Sequence, residues 1–392
     1  MKNVPPNKRI RVDYIDWLRV VTTLCVFVFH SARFFDKFND WHVKNAISWI
    51  GGNIIVGFMG LWIMPMFMVL AGASTYYSLR SRSARQYIPE RILRLLVPFL
   101  FGMLVIVVPQ AYYELLYHGK TSFANLLDYY PLYILSLPQR FAHFSFYHLW
   151  FLAVLFIFSL ICLPLFVDLL KKGKSLLSGL ASRINSPWKL MLLLVLPLGL
   201  IDIFIDPGTF WGSRATGGWC LVAHLFFFIS GYVLFANPGM TEQMRKLRWF
   251  VSIGAIAAFV ALRPLIGLLL DWKHHFGSAG YAAAQVVQAL LSWCLLIILI
   301  NLGRWGFNFK NKLLAYASEA VLPFYILHQT VIIVVGYYVV QWELNPGLKY
   351  SVIFVVSFCL IMALYDLLIK RIDILRFLFG MRAIRTLKQR GR

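Results

Sequence analysis

Residues 15–30 read Ile15-Asp16-Trp17-Leu18-Arg19-Val20-Val21-Thr22-Thr23-Leu24-Cys25-Val26-Phe27-Val28-Phe29-His30. This is an apolar segment of nearly membrane length, with an acidic and a basic residue at its beginning and a histidine far inside it. On a helix, His30 lies about 21 Å beyond Asp16, in the outer half of a hydrocarbon core about 30 Å thick. A titratable side chain at that depth is costly, so His30 indicates a function.

The whole chain has the composition of a membrane protein. Its 392 residues are 60% hydrophobic and 14% charged, whereas a soluble domain carries about 25% charged residues. The predicted fold is therefore an all-α, polytopic membrane helix bundle embedded in a lipid bilayer. The five cysteines lie far apart in apolar runs without metal-ligand spacing, and we interpret them as small hydrophobic residues.

The apolar runs predict about ten transmembrane helices. Their expected limits are 15–35, 54–79, 92–114, 147–170, 188–206, 218–236, 249–270, 280–302, 316–340 and 349–370. The longest outward loop is expected over residues 115–146, and no cleavable signal peptide is recognisable before the first span.

Lysine and arginine are distributed unequally over the two sides that alternate spans define. Most lie on the side of the N-terminus, which the positive-inside rule assigns to the cytoplasm. The exceptions are Arg33, Lys37, Lys44, Lys120, Arg140, Arg214, Lys273 and Lys349 on the outer side, and Arg263 inside a span. The net charge of +22 is therefore a topology signal and an attraction to anionic lipid, with no role in nucleic-acid binding.

This distribution predicts a multi-pass protein of the cytoplasmic (inner) membrane with both termini in the cytoplasm. We divide the chain into a cytoplasmic N-terminal segment (1–14), a single transmembrane domain (15–370) and a basic cytoplasmic tail (371–392).

Several titratable side chains reach the same outer level as His30. Helix rise places His328 of the ninth span and Arg263 of the seventh span at a similar depth. His148 opens the fourth span at the outer surface, and His42 follows the first span. We predict a functional site in the outer leaflet that is built from these groups.

The cytoplasmic side carries a different chemistry at the beginning of the third span. Arg91 and Arg94 are spaced i, i+3, which puts both guanidinium groups on one face of a helix, and Arg85 precedes them. Guanidinium groups bind phosphate with two hydrogen bonds, so the pair predicts a cytoplasmic anion site. A membrane acyltransferase needs both features, because acyl-CoA is a phosphorylated cytoplasmic donor and the acceptor hydroxyl would lie outside.

Five stretches in this order resemble the acyltransferase-3 family of integral membrane proteins. They are Tyr14-Ile-Asp-Trp-Leu-Arg19 through His30, Pro65-Met-Phe-Met-Val-Leu-Ala-Gly72, Arg91-Ile-Leu-Arg94 with Pro98, His148-Leu-Trp-Phe-Leu152, and Leu322-Pro-Phe-Tyr-Ile-Leu-His-Gln329. One departure is Ala71, which stands where the family usually has serine. Within the family, Asp40-Trp-His-Val-Lys-Asn45 and Val108-Pro-Gln110 are most similar to the glucan biosynthesis protein C group.

The resemblance implies an enzyme that transfers an acyl group other than an aminoacyl group. It implies His30 as the catalytic residue and Arg91 and Arg94 as binders of acyl-CoA, with Arg85 added to them. The expected product is an O-acylated extracytoplasmic glycan, with acetyl or succinyl as the acyl group. Acyl-CoA is the donor co-substrate, and no permanently bound cofactor or metal is expected.

We interpret His30 as a general base that activates the acceptor hydroxyl. An acyl-histidine intermediate is an alternative route. His328, His148, Tyr325 or Arg263 would orient that base or stabilise the oxyanion, and His42, Arg263 and Tyr325 are candidates on the acceptor side. Asp16 and Arg19 are expected to give structural support.

The alternative function is a transporter or flippase for an anionic small molecule, since titratable groups inside ten spans suit it equally well. Transporters often have repeated halves. Here Phe67–Gly72 and Phe227–Gly231 resemble each other, but the flanking sequences do not continue the likeness. A sensor without chemistry would not need the histidine and the arginine pair together.

Overall fold

The computed structural model describes residues 12–38, 40–120, 123–171, 179, 182–214 and 217–382, with the backbone alone at residues 248 and 263. Most of the N-terminal segment and the last residues of the tail lie outside these ranges. Every regular element in the described ranges is helical, which confirms the all-α prediction.

The helices are numbered in chain order. The first nine are α1 (Asp13–Ala32), α2 (Ile50–Gly60), α3 (Ile63–Arg80), α4 (Ala84–Tyr117), α5 (Leu126–Ala142), α6 (Trp150–Ile161), α7 (Leu163–Lys171), α8 (Pro187–Phe204) and α9 (Leu221–Ala236). The others are α10 (Pro238–Lys246), α11 (Arg248–Leu262), α12 (Ile266–Leu270), α13 (Trp272–His275), α14 (Ala279–Gly306), α15 (Lys312–Val339), α16 (Pro346–Ile369) and α17 (Asp373–Leu378).

Eight helical stretches among the described residues are long and apolar enough to cross a membrane. They are Asp13–Ala32, Ile50–Arg80, Ala84–Tyr117, Leu126–Ile161, Pro187–Phe204, Ala279–Gly306, Lys312–Val339 and Pro346–Ile369. Helices α9 and α10 together are also long and apolar enough, but they meet at an angle of 101°, as in a broken span or a re-entrant loop. The chain is therefore a multi-pass membrane protein, as its composition predicts.

The seventh expected span, 249–270, is interrupted. Helix α11 ends at Leu262, a 3₁₀ turn covers Arg263–Leu265, and α12 has only five residues. Pro264 explains the break, because proline lacks the N–H of a helical hydrogen bond and restricts the residue before it. Arg263 lies in this turn, and its side chain is outside the described part of the structure.

The expected outer loop, 115–146, contains a helix instead. Asn125 caps the N-terminus of α5, because its side chain accepts hydrogen bonds from the backbone N–H groups of Leu127 and Asp128. Tyr129 and Tyr133 of α5 are buried against α4, where Val108, Ala111 and Tyr112 complete a small apolar core. The aromatic residues of this segment therefore include packing residues as well as surface groups.

The described residues form two compact units. Unit 1 draws on Met1–Thr22, Gly60–Ile88 and Phe158–Asn311, and unit 2 on Thr23–Met59, Pro89–Ile157 and Lys312–Arg392. The proposed single domain, 15–370, stays a prediction.

Within unit 1, α3 and α9 cross at two glycines. A Cβ atom on Gly72 would collide with the carbonyl oxygen of Phe228, and one on Gly231 would collide with that of Val69. Only glycine permits backbones to approach so closely. The similarity between residues 67–72 and 227–231 thus reflects one helix crossing.

Candidate active site

Two histidines meet within unit 2. Nδ1 of His30, near the end of α1, lies 2.8 Å from Nε2 of His328 on α15. Their rings are nearly parallel, at an interplanar angle of 11° with centroids 5.0 Å apart. His328 is buried, whereas His30 is partly exposed. The structure therefore brings together two of the histidines that helix rise placed at one depth.

Hydrogen-bond partners assign the tautomers of this pair. Nδ1 of His328 lies 2.5 Å from the carbonyl oxygen of Tyr325, which can only accept, so this nitrogen carries the hydrogen. Nε2 of neutral His328 is then an acceptor, and Nδ1 of His30 donates to it. Neutral His30 is left with a lone pair on Nε2, which is the property that a general base needs.

His148 and Tyr325 pack beside this pair. The ring of His148 contacts the ring of His328 edge-on, with centroids 5.1 Å apart, and its Nε2 donates to the carbonyl oxygen of Ile326 at 3.0 Å. The hydroxyl of Tyr325 donates to the backbone carbonyl of His148. Because that hydrogen is engaged, Tyr325 is a positioning residue of this arrangement.

The backbone just before His148 is strained. Phe144 and Tyr147 have positive φ angles of 54° and 50°, which non-glycine residues adopt at a cost of about 1–2 kcal/mol each. The turn that carries His148 is thus held in an unfavourable conformation by its surroundings, a feature that often accompanies functional sites.

A second polar group lies beside the histidine pair. The indole of Trp41 stacks on His30 at 6.1 Å, and next to it Nδ1 of His42 lies 3.0 Å from Oε2 of Glu114. The amide nitrogens of Gln110 and Gln329 approach Nε2 of His42 at 3.1 and 3.0 Å. Both ring nitrogens of His42 therefore face protein groups.

An ion cluster fixes the segment that presents Trp41 and His42. The carboxylate of Asp36 is completely buried and lies 3.0 Å from Arg33 and 3.1 Å from Lys44. Burial raises the pKa of the Asp36 carboxyl, and the two cations oppose that shift. Lys44 also donates to the carbonyl oxygens of Asp36 and Phe38, which closes the segment on itself.

The arginine pair lies at the beginning of α4. Arg91 ends its first α-helical part, and Arg94 lies within the π-helical turn Ile92–Leu96, so the two are not on the regular helix that the i, i+3 argument assumed. The side chain of Arg94 is 39% exposed and lies 3.2 Å from Glu90. π-helical turns are frequent at functional sites.

The arginine pair and the histidine pair are connected through α15. Gly380, with φ +70°, fits against the carbonyl oxygen of Arg94 and against Leu322, where a Cβ would approach to 3.2 and 3.0 Å. Leu322 precedes His328 by about 9 Å of helix. The backbone of Arg94 therefore lies near the part of α15 that is one to two helical turns before His328.

Helices α4 and α15 run in the same direction. A Cβ on Gly102 would lie 3.7 Å from Ile326, Gln110 accepts from Thr330 at 3.5 Å, and the rings of Tyr113 and Tyr337 are 5.0 Å apart. Along the two helices, the order is the arginine pair, then the histidines, then the His42–Glu114 group. A donor and an acceptor could thus approach the histidines from opposite ends.

The sequence profile of the acyltransferase domain matches residues 12–366. The chain belongs to the acyltransferase-3 family. It is a multi-pass membrane acyltransferase. Among curated relatives, Glucans biosynthesis protein C of Salmonella paratyphi B is 24% identical over 97% of this chain and 96% of its own length. The protein of the same name from Salmonella schwarzengrund is 25% identical with the same coverage. No solved structure matches the chain.

The other predicted residues of this acyltransferase lie elsewhere. Asp16 and Arg19 form an ion pair of 3.1 Å at the beginning of α1, and Arg19 donates to Ser74 of α3 at 2.8 Å, both within unit 1. Arg85 is exposed near the beginning of α4. Among the described residues no group of three or more His, Cys, Asp or Glu side chains could hold a metal ion.

Sequence reasoning overlooked four members of the candidate site. Trp41, Gln110 and Gln329 all lie inside the stretches that carry the family resemblance, and Glu114 is the last residue of the expected span 92–114. Their position next to motif residues could have identified them from the sequence.

Proposed function

We propose that this protein is an O-acyltransferase of the cytoplasmic (inner) membrane that modifies an extracytoplasmic glycan. It takes an acetyl or succinyl group from cytoplasmic acyl-CoA and moves it to a hydroxyl of the glycan, with His30 as general base. The observation that carries the proposal is the Tyr325–His328–His30 chain, which leaves Nε2 of His30 as an acceptor.

In the proposed reaction, Nε2 of His30 takes the proton of the acceptor hydroxyl while its oxygen attacks the thioester carbonyl carbon. The new C–O bond forms, the C–S bond breaks, and the thiolate of CoA takes the proton from His30. The products are an O-acyl ester and CoA-SH. His328 supports the step, because its Nε2 accepts from Nδ1 of His30 and keeps the imidazolium oriented.

The donor half of the proposal is supported by the arginine pair. Guanidinium groups bind phosphates with two hydrogen bonds, and the side chain of Arg94 is 39% exposed. About 9 Å of helix separates Leu322, which is at the level of Arg94, from His328. The pantetheine arm of CoA is long enough to cover that distance.

The acceptor half is supported by Trp41 and by the relatives. An indole face beside His30 can stack on a sugar ring. The relatives' name, Glucans biosynthesis protein C, places those proteins in glucan biosynthesis, and we extend a glycan acceptor to this chain from there.

The experiment is acyl-CoA binding and thioester hydrolysis by the purified protein with acetyl-CoA and succinyl-CoA. We expect slow hydrolysis of one ester, loss of turnover with retained binding in His30→Ala, and weakened binding in Arg94→Ala. The matched controls are His143→Ala, an exposed histidine, and Arg245→Ala, an exposed arginine that pairs with a glutamate as Arg94 does. If the wild type binds neither ester, the donor assignment is wrong and transport of an anion becomes the better hypothesis.

The alternative acyl-histidine route has its own test. Nε2 of His30 could attack the thioester itself, which would leave an acylated protein before any acceptor is added. Rapid quenching with radiolabelled donor and no acceptor should trap no acyl-protein if His30 is a base. Stoichiometric label that is lost in His30→Ala would establish the covalent route.

A further inference from the structure

His148 has one polar atom for which the protein offers no partner. The residue is 4% exposed, and its Nδ1 forms no hydrogen bond within the described part of the chain. Since Nε2 donates to the carbonyl of Ile326, Nδ1 of the neutral ring is an acceptor. A buried acceptor without a donor is unfavourable, so this atom calls for a ligand that brings one.

The position of His148 shows from which side such a ligand would come. Along α15, its partner Ile326 follows Leu322, at the level of Arg94, and precedes His328. The His42–Glu114 group lies beyond His328, at Gln329. A ligand that extends from the arginine pair to the histidine pair therefore reaches His148 before His30.

The spacing of the rings restricts the chemistry of the ligand. His328 is the neighbour of both other imidazoles, with centroids 5.0 Å from His30 and 5.1 Å from His148. The centroid of His148 is therefore at most about 10 Å from that of His30, and a ligand with its reactive carbon near Nε2 of His30 needs an N–H or O–H donor within that range. In the pantetheine arm of CoA, two methylene groups separate the thioester sulfur from the first amide N–H.

We propose that Nδ1 of His148 accepts a hydrogen bond from an amide N–H of the pantetheine arm and so places the thioester beside His30. This assignment rests on the proposed function. It adds a residue that binds the pantetheine arm between the phosphates and the acyl group of the donor. It makes His148 a donor-binding residue with no part in proton transfer.

The test uses a pair of small donors that differ in one group. The first is the thioester of N-acetylcysteamine, which keeps the amide, and the second is its analogue in which an ester oxygen replaces the N–H. Both are offered as acetyl and succinyl thioesters to the full-length protein. The wild type should hydrolyse the amide compound about tenfold more efficiently, the effect of one hydrogen bond to a buried acceptor.

Two variants separate the two nitrogens of the ring. In His148→Gln the side-chain amide can still donate to Ile326, but nothing accepts at the position of Nδ1, so the preference for the amide compound should vanish. In His148→Asn an oxygen replaces Nδ1 and the preference should persist. The quantity compared in each variant is the ratio of the two hydrolysis rates, so that a change common to both donors cancels.

The outcomes distinguish this proposal from the proposed function. If the wild type hydrolyses neither acetyl-CoA nor succinyl-CoA, the proposed function itself is contradicted. If the wild type hydrolyses both donors equally well, the proposed role of His148 is overturned while the proposed function stands. This comparison needs the wild-type protein alone. A preference that His148→Gln retains, or an equal loss on both donors, assigns His148 a structural role and likewise overturns the proposal.

Discussion

At the scale of single residues, the proposed mechanism gives a histidine chain the place that a carboxylate–histidine pair has in many hydrolases. Tyr325 fixes the tautomer of His328 through its carbonyl, and His328 fixes that of His30. No formal charge is needed to orient the base, because a carbonyl dipole at the end of the chain determines where each hydrogen lies. This arrangement suits a low-dielectric environment, where a buried carboxylate would be costly.

Removal of the second histidine should therefore lower turnover more than binding. We expect His328→Phe to reduce the rate of thioester hydrolysis about 100-fold, within the range of general-base effects, with little change in donor KM. His328→Gln can still offer an acceptor oxygen to His30, so its rate of thioester hydrolysis should fall only about tenfold. Steady-state kinetics beside His143→Ala checks this, and a His328→Phe rate near that of wild type would show that His30 needs no orienting partner.

A residue-scale prediction for the acceptor concerns Trp41. If its indole face stacks on a sugar ring, Trp41→Leu should raise the acceptor KM roughly fivefold, in line with about 1 kcal/mol for an aromatic contact. Trp41→Phe should raise it less. Donor hydrolysis in the absence of acceptor is the control, because it should not change in either variant. An equal loss in both reactions would mean that Trp41 supports His30 alone.

At the scale of elements, the crossing of α3 and α9 depends on glycine. Gly72→Ala or Gly231→Ala should force the two helices apart and lower the unfolding temperature in detergent, as overpacking costs about 1–3 kcal/mol. Gly267→Ala is the matched control, since a Cβ there meets nothing within 4 Å. If all three variants unfold together with the wild type, α3 and α9 do not need this close approach.

The elements also show what the sequence could and could not reveal. Hydropathy identified the spans, and helix rise placed His30 and His328 at one depth, but only packing could show that α1 and α15 are neighbours. The sequence predicted a loop in place of α5, because this segment contains Pro131, Pro138 and several tyrosines. The break at Pro264 was readable in principle, because proline ends helices, yet the apolar residues around it suggested continuity.

At the scale of the whole molecule, unit 2 contains every member of the candidate site, and its sequence comes from three separate parts of the chain. No short motif could therefore identify the site. Family motifs are scattered because α1, α4 and α15 each contribute residues to it. The helical span Ala84–Tyr117 carries both the arginine pair and Glu114, and it thus connects the proposed donor end with the proposed acceptor end.

This arrangement predicts that the two substrates reach the site from opposite sides of the membrane. The protein is reconstituted into vesicles, and protease cleavage of a C-terminal tag measures the fraction of molecules in each orientation. The positive-inside rule predicts that both termini lie on the proposed donor side. Acyl-CoA should then be consumed only when it is on the same side as the tag, and the glycan should be acylated only on the other. Arg94→Ala should weaken the response to donor alone, and Trp41→Leu the response to acceptor alone. Equal turnover with both substrates on the tag side would place the acceptor end in the cytoplasm, and the charge-based topology would be wrong.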